Sequence, residues 1–348
     1  MKKILATLFI GFATLLQLGC EETYIINEGV SSILINPSQN SVIVNNQVSL
    51  SVSTNSGEDI TAETELSLNG TPVDGSTIQL TELGIHEITA RYINLTTSVE
   101  IEVTDGSEIN FKKRALVEDY TGTWCGWCPR VSHAIDLVSQ QNDDVVFVAI
   151  HRAPAGTQDP FIYNDADDLE AMINTPGYPK GFVNRIHQWQ FPEPDNIDQV
   201  ISFTQGANPK AGLAINSSLQ NNQINVEVRS QFSKDFEGLK LVVYLVENGL
   251  VYPQVNYTSY YNNLNPIENY THNYTLRKSI TPILGETILS ENTSTGNIHT
   301  NTFNFPVPDN ISNADNIDLI AFLINPDNSV LNVRKASLNS SQDFEILQ

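Results

Sequence analysis

The sequence has few basic residues for its length. Its 348 residues include 18 Lys and Arg against 40 Asp and Glu, which gives a formal net charge of −22 and a pI of about 4.4. An acidic surface of this size repels phosphate backbones, so we exclude nucleic acid as a partner. Hydrophobic residues make up 40% of the chain, which is enough for packed cores and excludes a disordered protein.

Cysteine is also scarce. The three cysteines are Cys20, Cys125 and Cys128, which are too few for a framework of structural disulfides. A structural zinc site needs four ligands, and beside one Cys-x-x-Cys pair the other two would have to be His133 and His151. A glycine-rich phosphate loop, a serine-nucleophile elbow and a specifically spaced carboxylate pair are also lacking. We therefore predict no metal and no cofactor.

The apolar run near the N-terminus is too short to cross a membrane as a helix. Ile4–Leu16 has thirteen residues and follows Lys2 and Lys3, an arrangement typical of a secretory signal peptide. The residues that end at Cys20 resemble a lipobox, although Gln17 stands where Leu or Val is usual. We expect Cys20 to carry the lipid that anchors the protein to the membrane. The alternative is an ordinary secretory signal cleaved nearby.

Short apolar runs separated by Asn, Gly, Asp and Pro dominate both ends of the chain. About seven fall within residues 31–104, and another series begins near residue 208, a pattern that favours antiparallel β-sandwiches. Gly84–Tyr92 is similar to the late strands of bacterial immunoglobulin-like domains. The Tyr- and Asn-rich segment Pro253–Tyr274 is either an adaptable binding loop or an ordered excursion packed on the C-terminal sandwich.

The middle of the chain has a different pattern. Arg114–Tyr120 is predicted to be a buried strand, and Pro129–Gln141 has the apolar spacing of an amphipathic helix. The fully apolar run Val145–Ile150 is typical of a central parallel strand covered on both faces. The order of these three elements predicts a β-α-β unit.

The stretch 124–128 carries the chemistry, since Trp-Cys-Gly-Trp-Cys opens the predicted helix. Unpaired backbone N–H groups and the helix dipole at a helix N-terminus favour the thiolate form of cysteine. We expect Cys125 to be the exposed nucleophile and Cys128 to resolve a mixed disulfide, so the pair forms the disulfide Cys125–Cys128. Trp124 and Trp127 either pack the loop or form an apolar rim that receives peptide substrates.

The run Val117–Pro129 resembles the active-site segment of thioredoxin-fold proteins. With the Thr-Gly-Thr turn at 121–123, it looks like the Omp28-related family of bacterial outer membrane lipoproteins. The resemblance implies an α/β thioredoxin-like central domain flanked by an N-terminal immunoglobulin-like β-sandwich and a C-terminal β-sandwich domain. It also implies a lipid-anchored location at the outer membrane or cell surface.

The same resemblance assigns a proton-transfer role to Asp119. It lies six residues before Cys125 and matches the carboxylate that is buried beneath the second cysteine of thioredoxin-like proteins. Because neighbouring strand residues face opposite sides, only one of Glu118 and Asp119 can face the cysteines. The alternative is that both carboxylates lie partly exposed near a strand end.

Pro179 matches the cis-proline that lies opposite the cysteine pair in thioredoxin-like proteins, and Pro176 is the weaker candidate. The resemblance implies that Tyr178 offers its backbone to a bound peptide by strand-type pairing. The predicted substrate-binding residues are therefore Trp124, Trp127, Tyr178 and Pro179.

The composition shifts along the chain and the resemblance together predict five segments. They are a lipoprotein signal peptide (1–19), a tether (20–30), an immunoglobulin-like β-sandwich (31–104), a thioredoxin-like domain (108–207) and a C-terminal β-sandwich domain (208–348).

Two functions fit these features. The first is a lipid-anchored thiol–disulfide oxidoreductase that acts on thiols or disulfides of exported proteins, with Cys125, Cys128 and Asp119 as catalytic residues. The second is a non-enzymatic surface binding or structural lipoprotein with a static disulfide, whose β domains bind a protein or glycan ligand. Whether the protein is an enzyme is left open by the sequence, because a fold does not determine a function.

Overall fold

A computed structural model describes residues 30–106 and 109–347. The predicted signal peptide, most of the predicted tether and the predicted lipidation site Cys20 lie outside these residues. Strands account for 43% of the described residues and helices for 14%. No helix in the described part of the chain is both long enough and apolar enough to span a bilayer.

The N-terminal part of the described chain is built from short strands around one core. The strands are β1 (Ile33–Pro37), β2 (Ser41–Ile43), β3 (Gln47–Thr54), β4 (Glu65–Leu68), β5 (Thr71–Val73), β6 (Thr77–Gln79), β7 (Gly84–Tyr92) and β8 (Leu95–Thr104). They form two sheets, with orders β1-β3-β6 and β2-β8-β7-β4-β5. Along β3, exposed and buried residues alternate as expected for a strand with one face on a core.

The middle of the chain contains all three α-helices of the described residues. Its elements are β9 (Asn110–Phe111), β10 (Ala115–Thr121), α1 (Pro129–Gln141), β11 (Val145–His151), α2 (Asp167–Ile173), β12 (Lys180–Val183), β13 (His187–Gln188) and α3 (Ile197–Ser202).

The C-terminal part consists of strands and loops. The strands are β14 (Ala211–Gln220), β15 (Gln223–Phe232), β16 (Lys240–Glu247), β17 (Leu250–Val251), β18 (Thr271–His272), β19 (Thr275–Ser279), β20 (Glu286–Thr287), β21 (Ile298–Pro306), β22 (Ile317–Ile324), β23 (Val330–Ser337) and β24 (Ile346–Leu347).

One mixed sheet of nine strands joins the middle of the chain to its C-terminal part. Its order is β13-β12-β10-β11-β19-β16-β22-β23, and β20 also pairs with β16. β10 and β11 are parallel, and β11 pairs in parallel with β19 through Ala149 and Thr275. β16, β22 and β23 continue the sheet in antiparallel order.

This sheet shows that the predicted fold class, an α/β thioredoxin-like central domain flanked by two β-sandwiches, is wrong. The β-α-β unit is present as β10-α1-β11, but it does not form a sheet of its own. The edge of β11 that faces away from β10 pairs with β19, so the sheet continues into the C-terminal strands. The structure is therefore a mostly β protein with several sheets, in which the helices are a minor part.

The large sheet is buried on both faces. One face carries a core that runs from Leu116 and Val148 to Tyr244 and Phe322 and is covered partly by α2. The other face is divided, because α1 and α3 cover the β10–β11 end while the small sheet β14-β15-β21 covers the β16–β22 end. All eight residues of β22 are consequently buried.

A buried ion pair lies on the face of the sheet that is opposite α1. Arg185 donates to Glu118 through Nη2–Oε1 at 3.0 Å, and the same nitrogen donates to the Tyr244 hydroxyl at 2.6 Å. Both charged side chains are fully buried. Removing one partner of such a pair leaves an uncompensated buried charge.

We predict that Glu118→Gln lowers the free energy of unfolding by about 3–5 kcal/mol, because Arg185 then keeps its charge without a counter-charge. Urea denaturation of the purified protein measures this loss. Asp167→Asn is the matched control. Asp167 forms an ion pair with Arg152, but its side chain is 84% exposed, so this substitution should cost less than about 1 kcal/mol. Equal losses in the two variants would contradict the prediction.

Candidate functional site

The cysteine pair lies where β10 leads into α1. Cys125 and Cys128 form a disulfide with a Cα–Cα separation of 5.4 Å, and Cys128 is the N-cap residue of α1. Pro129 begins the helix, where its missing N–H costs nothing because the first helical N–H groups have no intrahelical partner. Cys125 is 4% exposed and Cys128 is 1% exposed. The expected exposed position of Cys125 is therefore not observed.

A C-terminal segment covers the disulfide. We call residues 250–272 the strap; its two ends, β17 and β18, pair antiparallel and close its base. The backbone N–H of Val255 donates to the Thr123 carbonyl at 2.9 Å, and that of Tyr257 donates to the Gly126 carbonyl at 2.7 Å. These are strand-type contacts to the backbone on both sides of Cys125. The segment Pro253–Tyr274 is thus ordered, and it packs on the cysteine turn.

Gln254 adds side-chain bonds between the strap and the cysteine turn. Its Nε2 donates to the carbonyls of Gly122 at 3.2 Å and of Cys125 at 3.0 Å, and the residue is 3% exposed. The same two carbonyls also accept the backbone N–H groups of Cys125 and Cys128, so Gln254 is a second donor to each and ties the strap to the turn.

The two tryptophans have different surroundings. Trp127 is 51% exposed. Its ring and the exposed ring of Tyr257 form a T-shaped pair with centroids 6.1 Å apart, so both rings lie at the surface near the disulfide. Trp124 donates from Nε1 to the Arg152 carbonyl at 2.7 Å, and its ring packs against the Tyr178 ring with centroids 5.5 Å apart. Trp127 is placed as a surface rim residue, whereas Trp124 holds the loop.

Tyr178 and Pro179 lie beside the end of β10. Their peptide bond is cis, as the sequence predicts. Pro179 directly precedes β12, in which Lys180 is paired with Tyr120 of β10. The Tyr178 hydroxyl donates to Glu170 at 2.7 Å, and burial together with this carboxylate raises the pKa of Tyr178 to about 12.

Asp119 and Glu118 face opposite sides of the sheet. Glu118 points to Arg185, whereas Asp119 lies on the α1 face and is 2% exposed. Burial raises the pKa of Asp119 well above the usual carboxyl range, Glu193 adds to this increase, and Arg130 opposes it. Its Oδ1 has no hydrogen-bond partner among the described residues. Asp119 is therefore the carboxyl group that faces the α1 side, and it favours the protonated form.

The structure adds Asp159, a site residue that sequence reasoning missed, and pairs it with His151. Asp159 accepts hydrogen bonds through Oδ2 from the Thr123 backbone N–H at 2.7 Å and from His151 Nδ1 at 2.9 Å. Although burial opposes its ionisation, these bonds and the His151 charge lower the pKa of Asp159. The only sequence signal was a histidine that closes an otherwise apolar strand. Asp159 itself lies in a loop with no motif.

The strap also forms the wall of a cavity. Its volume is about 360 Å³, and it lies between α1, the end of β11 and the strap. Asp119 and His151 line it from the sheet, Ser132 and Asp136 from α1, and Tyr270 and His272 from the strap. No cluster of three His, Cys, Asp or Glu side chains suited to a metal ion occurs within residues 30–106 and 109–347.

Comparison with known proteins gives a family match and a fold match. A family model described as "Outer membrane protein Omp28" matches residues 166–342, just over half of the chain. Among solved structures, HBP35 of Porphyromonas gingivalis is 18% identical with a TM-score of 0.50, over 67% of this chain and 77% of that one. This likeness concerns the fold alone. None of the curated proteins matches the chain.

Two further solved structures are weakly similar. A domain of the outer membrane lipoprotein Omp28 from Porphyromonas gingivalis is 17% identical with a TM-score of 0.26, over 38% of this chain and 89% of that domain. A DUF4785 family protein from Legionella pneumophila is 9% identical with a TM-score of 0.28, over 88% of this chain and 57% of that one. The region that matches the family model begins after the cysteine pair, so it does not bear on the chemistry of the disulfide.

We predict that Gly126→Ala disturbs the strap. A Cβ at this position would lie 2.3 Å from Cδ2 of the Tyr257 ring, which must then move. We expect a loss of about 1–3 kcal/mol in the free energy of unfolding, typical of overpacking. In a Tyr257→Ala background the same change should cost less than about 0.5 kcal/mol, the range of ordinary surface substitutions. If urea denaturation gave the same loss in both backgrounds, the clash with the Tyr257 ring would not be the cause of the destabilisation.

We predict that His272 makes the protein less stable in acid. Burial, assisted by the nearby His151, lowers the pKa of His272 to about 4, below the 6.5 of a free histidine. The unfolded chain therefore binds the proton more readily, and stability that is complete above pH 6.5 is lost as the pH falls towards 4. The loss is about 3 kcal/mol.

The matched comparison is the wild type against His272→Gln, by urea denaturation between pH 7 and pH 4. Asp119, whose raised pKa acts in the opposite direction, is present in both proteins, so the difference isolates His272. The variant should lose about 3 kcal/mol less than the wild type over this range. The same loss in both proteins would show that His272 does not contribute.

Proposed function

Because the chain belongs to the Omp28 family of outer membrane proteins, which places it at the outer membrane or cell surface, we propose that it is a thiol–disulfide oxidoreductase there. Its substrates are thiols or disulfides of exported proteins, and its reactive group is the Cys125–Cys128 pair. A lipid on Cys20 holds it to the membrane.

The observation that carries this proposal is the state of Asp119. A carboxyl group that is 2% exposed, with one oxygen that has no partner within residues 30–106 and 109–347, is costly to bury. A purely structural disulfide has no use for such a group, whereas thiol exchange needs an acid and a base near the buried sulfur. The raised pKa keeps the proton on Asp119 until the Cys128 thiolate forms at the start of α1, the helix on the same side of the sheet.

The exchange proceeds in two displacements. A substrate thiolate attacks Sγ of Cys125, a substrate–Cys125 bond forms, the Cys125–Cys128 bond breaks, and the Cys128 thiolate takes the proton of Asp119. A second substrate thiolate then attacks the substrate sulfur of the mixed disulfide and releases Cys125. The substrate dithiol is oxidised to a disulfide and the cysteine pair is reduced. The reverse sequence, begun by the Cys125 thiolate, reduces a substrate disulfide.

The substrate must displace part of the strap, because Cys125 is only 4% exposed. The strap pairs with the carbonyls of Thr123 and Gly126 as an extended peptide would. A substrate segment in strand conformation can therefore take over these bonds. Trp127 and the Tyr178–Pro179 segment lie beside this position and bind the substrate in our proposal, while Trp124 supports Tyr178.

The burial of both cysteines favours a second candidate function. Under the strap the disulfide could serve only to fix the turn between β10 and α1, as in a static structural bond. The protein would then be a surface binding or structural lipoprotein, and its β-rich N-terminal and C-terminal parts would hold a protein or glycan ligand. This candidate predicts no exchange with substrate proteins.

We predict that Cys128→Ser traps mixed disulfides between Cys125 and exported proteins, because the resolving thiol is lost. The full chain is expressed in its outer membrane, and adducts are read on non-reducing gels. Cys125→Ser is the matched control, since it leaves only the more deeply buried Cys128 and should trap none. Absence of adducts in both variants would contradict the oxidoreductase proposal and favour the static disulfide.

A further inference from the structure

The sheet, α1 and the loop before α3 separate Asp119 from solvent. α1 and the loop before α3 close one side with Arg130 and Glu193, which pair with each other through Nε and Oε2 at 2.5 Å. On β11 the nearest titratable group is His151, whose Nδ1 is bonded to Asp159 at 2.9 Å. Any proton that Asp119 gives up or regains must therefore pass elsewhere.

The cavity beneath the strap offers that passage. It has a volume of about 360 Å³ and reaches Asp119, whose buried Oδ1 has no partner among the described residues. A single water needs roughly 10–15 Å³ of such space and two to four polar partners. The cavity has room for several waters and a lining of carboxyl, hydroxyl, amide and imidazole groups. Water there can bond the carboxyl group of Asp119.

A row of side chains leads from the cavity to the surface. The Tyr270 ring packs in an edge arrangement with the Tyr261 ring, with centroids 5.5 Å apart, and both residues line the cavity with Ser132. The Tyr261 hydroxyl in turn donates to Asp136 at 3.3 Å, and Asp136 is exposed on α1. Tyr270 is partly buried and lines the same cavity as Asp119. Each hydroxyl in this row can both donate and accept a proton.

We propose that the cavity and Tyr270 form the route by which the buried Asp119 exchanges its proton with solvent. Water in the cavity links Asp119 to the Tyr270 hydroxyl, and Tyr261 carries the connection on to Asp136. The proposal rests on the proposed function, since it explains how Asp119 recovers the proton that it gives to Cys128. Tyr270 does not contact the disulfide; it acts through Asp119.

The proton balance is simple. In each reduction of the cysteine pair Asp119 loses one proton to the Cys128 thiolate, and one proton enters from solvent at Asp136. Each Tyr hydroxyl passes one proton on and receives one, so the side chains of the route end unchanged. Oxidation of the pair runs the same transfer outward. No further oxidant or reductant is needed for the transfer itself.

The test follows the proton of Asp119 directly. The protonated carboxyl group gives an infrared C=O stretching band, assigned by its loss in Asp119→Asn, and this band shifts when the proton is replaced by deuterium. We expect Tyr270→Phe to slow the shift after mixing into D₂O by on the order of a hundredfold, the low end of what one positioned proton-transfer group contributes. Ser132→Ala should slow it in the same direction.

Tyr274→Phe is the matched control. Tyr274 lines the same cavity, but its ring packs with Phe147 and is not part of the Tyr261–Tyr270 ring pair, so this variant should exchange at the wild-type rate. A variant that only loosened the strap would speed the exchange, which separates the route from a structural effect. Wild-type or faster exchange in Tyr270→Phe would overturn the proposal, as would the lack of a band lost in Asp119→Asn.

The infrared test decides on the proton route, and the trapping test decides on the oxidoreductase function, so either proposal can be rejected without the other. Slowed exchange in Tyr270→Phe with no trapped adducts in Cys128→Ser would retain the route and reject the oxidoreductase function. Trapped adducts with unchanged exchange in Tyr270→Phe would retain the function and reject the route.

Discussion

The parallel pairing of β11 with β19 determines how the site is built. Ala149 pairs with Thr275, and its N–H donates to the Tyr274 carbonyl at 2.8 Å. Because the strap ends at His272, three residues before this strand begins, the pairing brings a C-terminal segment onto the cysteine turn. The same pairing extends the sheet of the β-α-β unit into the C-terminal strands. One strand contact thus determines both the architecture and the burial of the disulfide.

The alternation of side chains along β10 separates two buried carboxyl groups with different surroundings. Glu118 pairs with Arg185 within the core of the large sheet. One residue later, Asp119 faces the α1 side, and its Oδ1 has no hydrogen-bond partner in the described part of the chain. The first carboxylate stabilises the sheet. The second lines the cavity of about 360 Å³ whose wall is formed by the strap.

Local features were predictable from the sequence, and long-range pairing was not. The helix Pro129–Gln141 has the predicted bounds because apolar spacing and Pro129 act within a few residues. The fully apolar run of β11 indicated burial on both faces, but not that β19 would be its neighbour, since strand partners far apart in sequence leave no local signal. The fold class was wrong for this reason. Composition singled out Pro253–Tyr274, and only the tertiary structure placed it on the disulfide.

The reduction potential of the Cys125–Cys128 pair, measured by equilibration of residues 21–348 with glutathione, decides between disulfide exchange and a static bond. We expect a value of about −120 to −270 mV, the range of proteins that exchange disulfides. A value well below about −300 mV would identify a structural bond and rule out the proposed exchange. The β-rich parts of the chain would then be the place to look for its function.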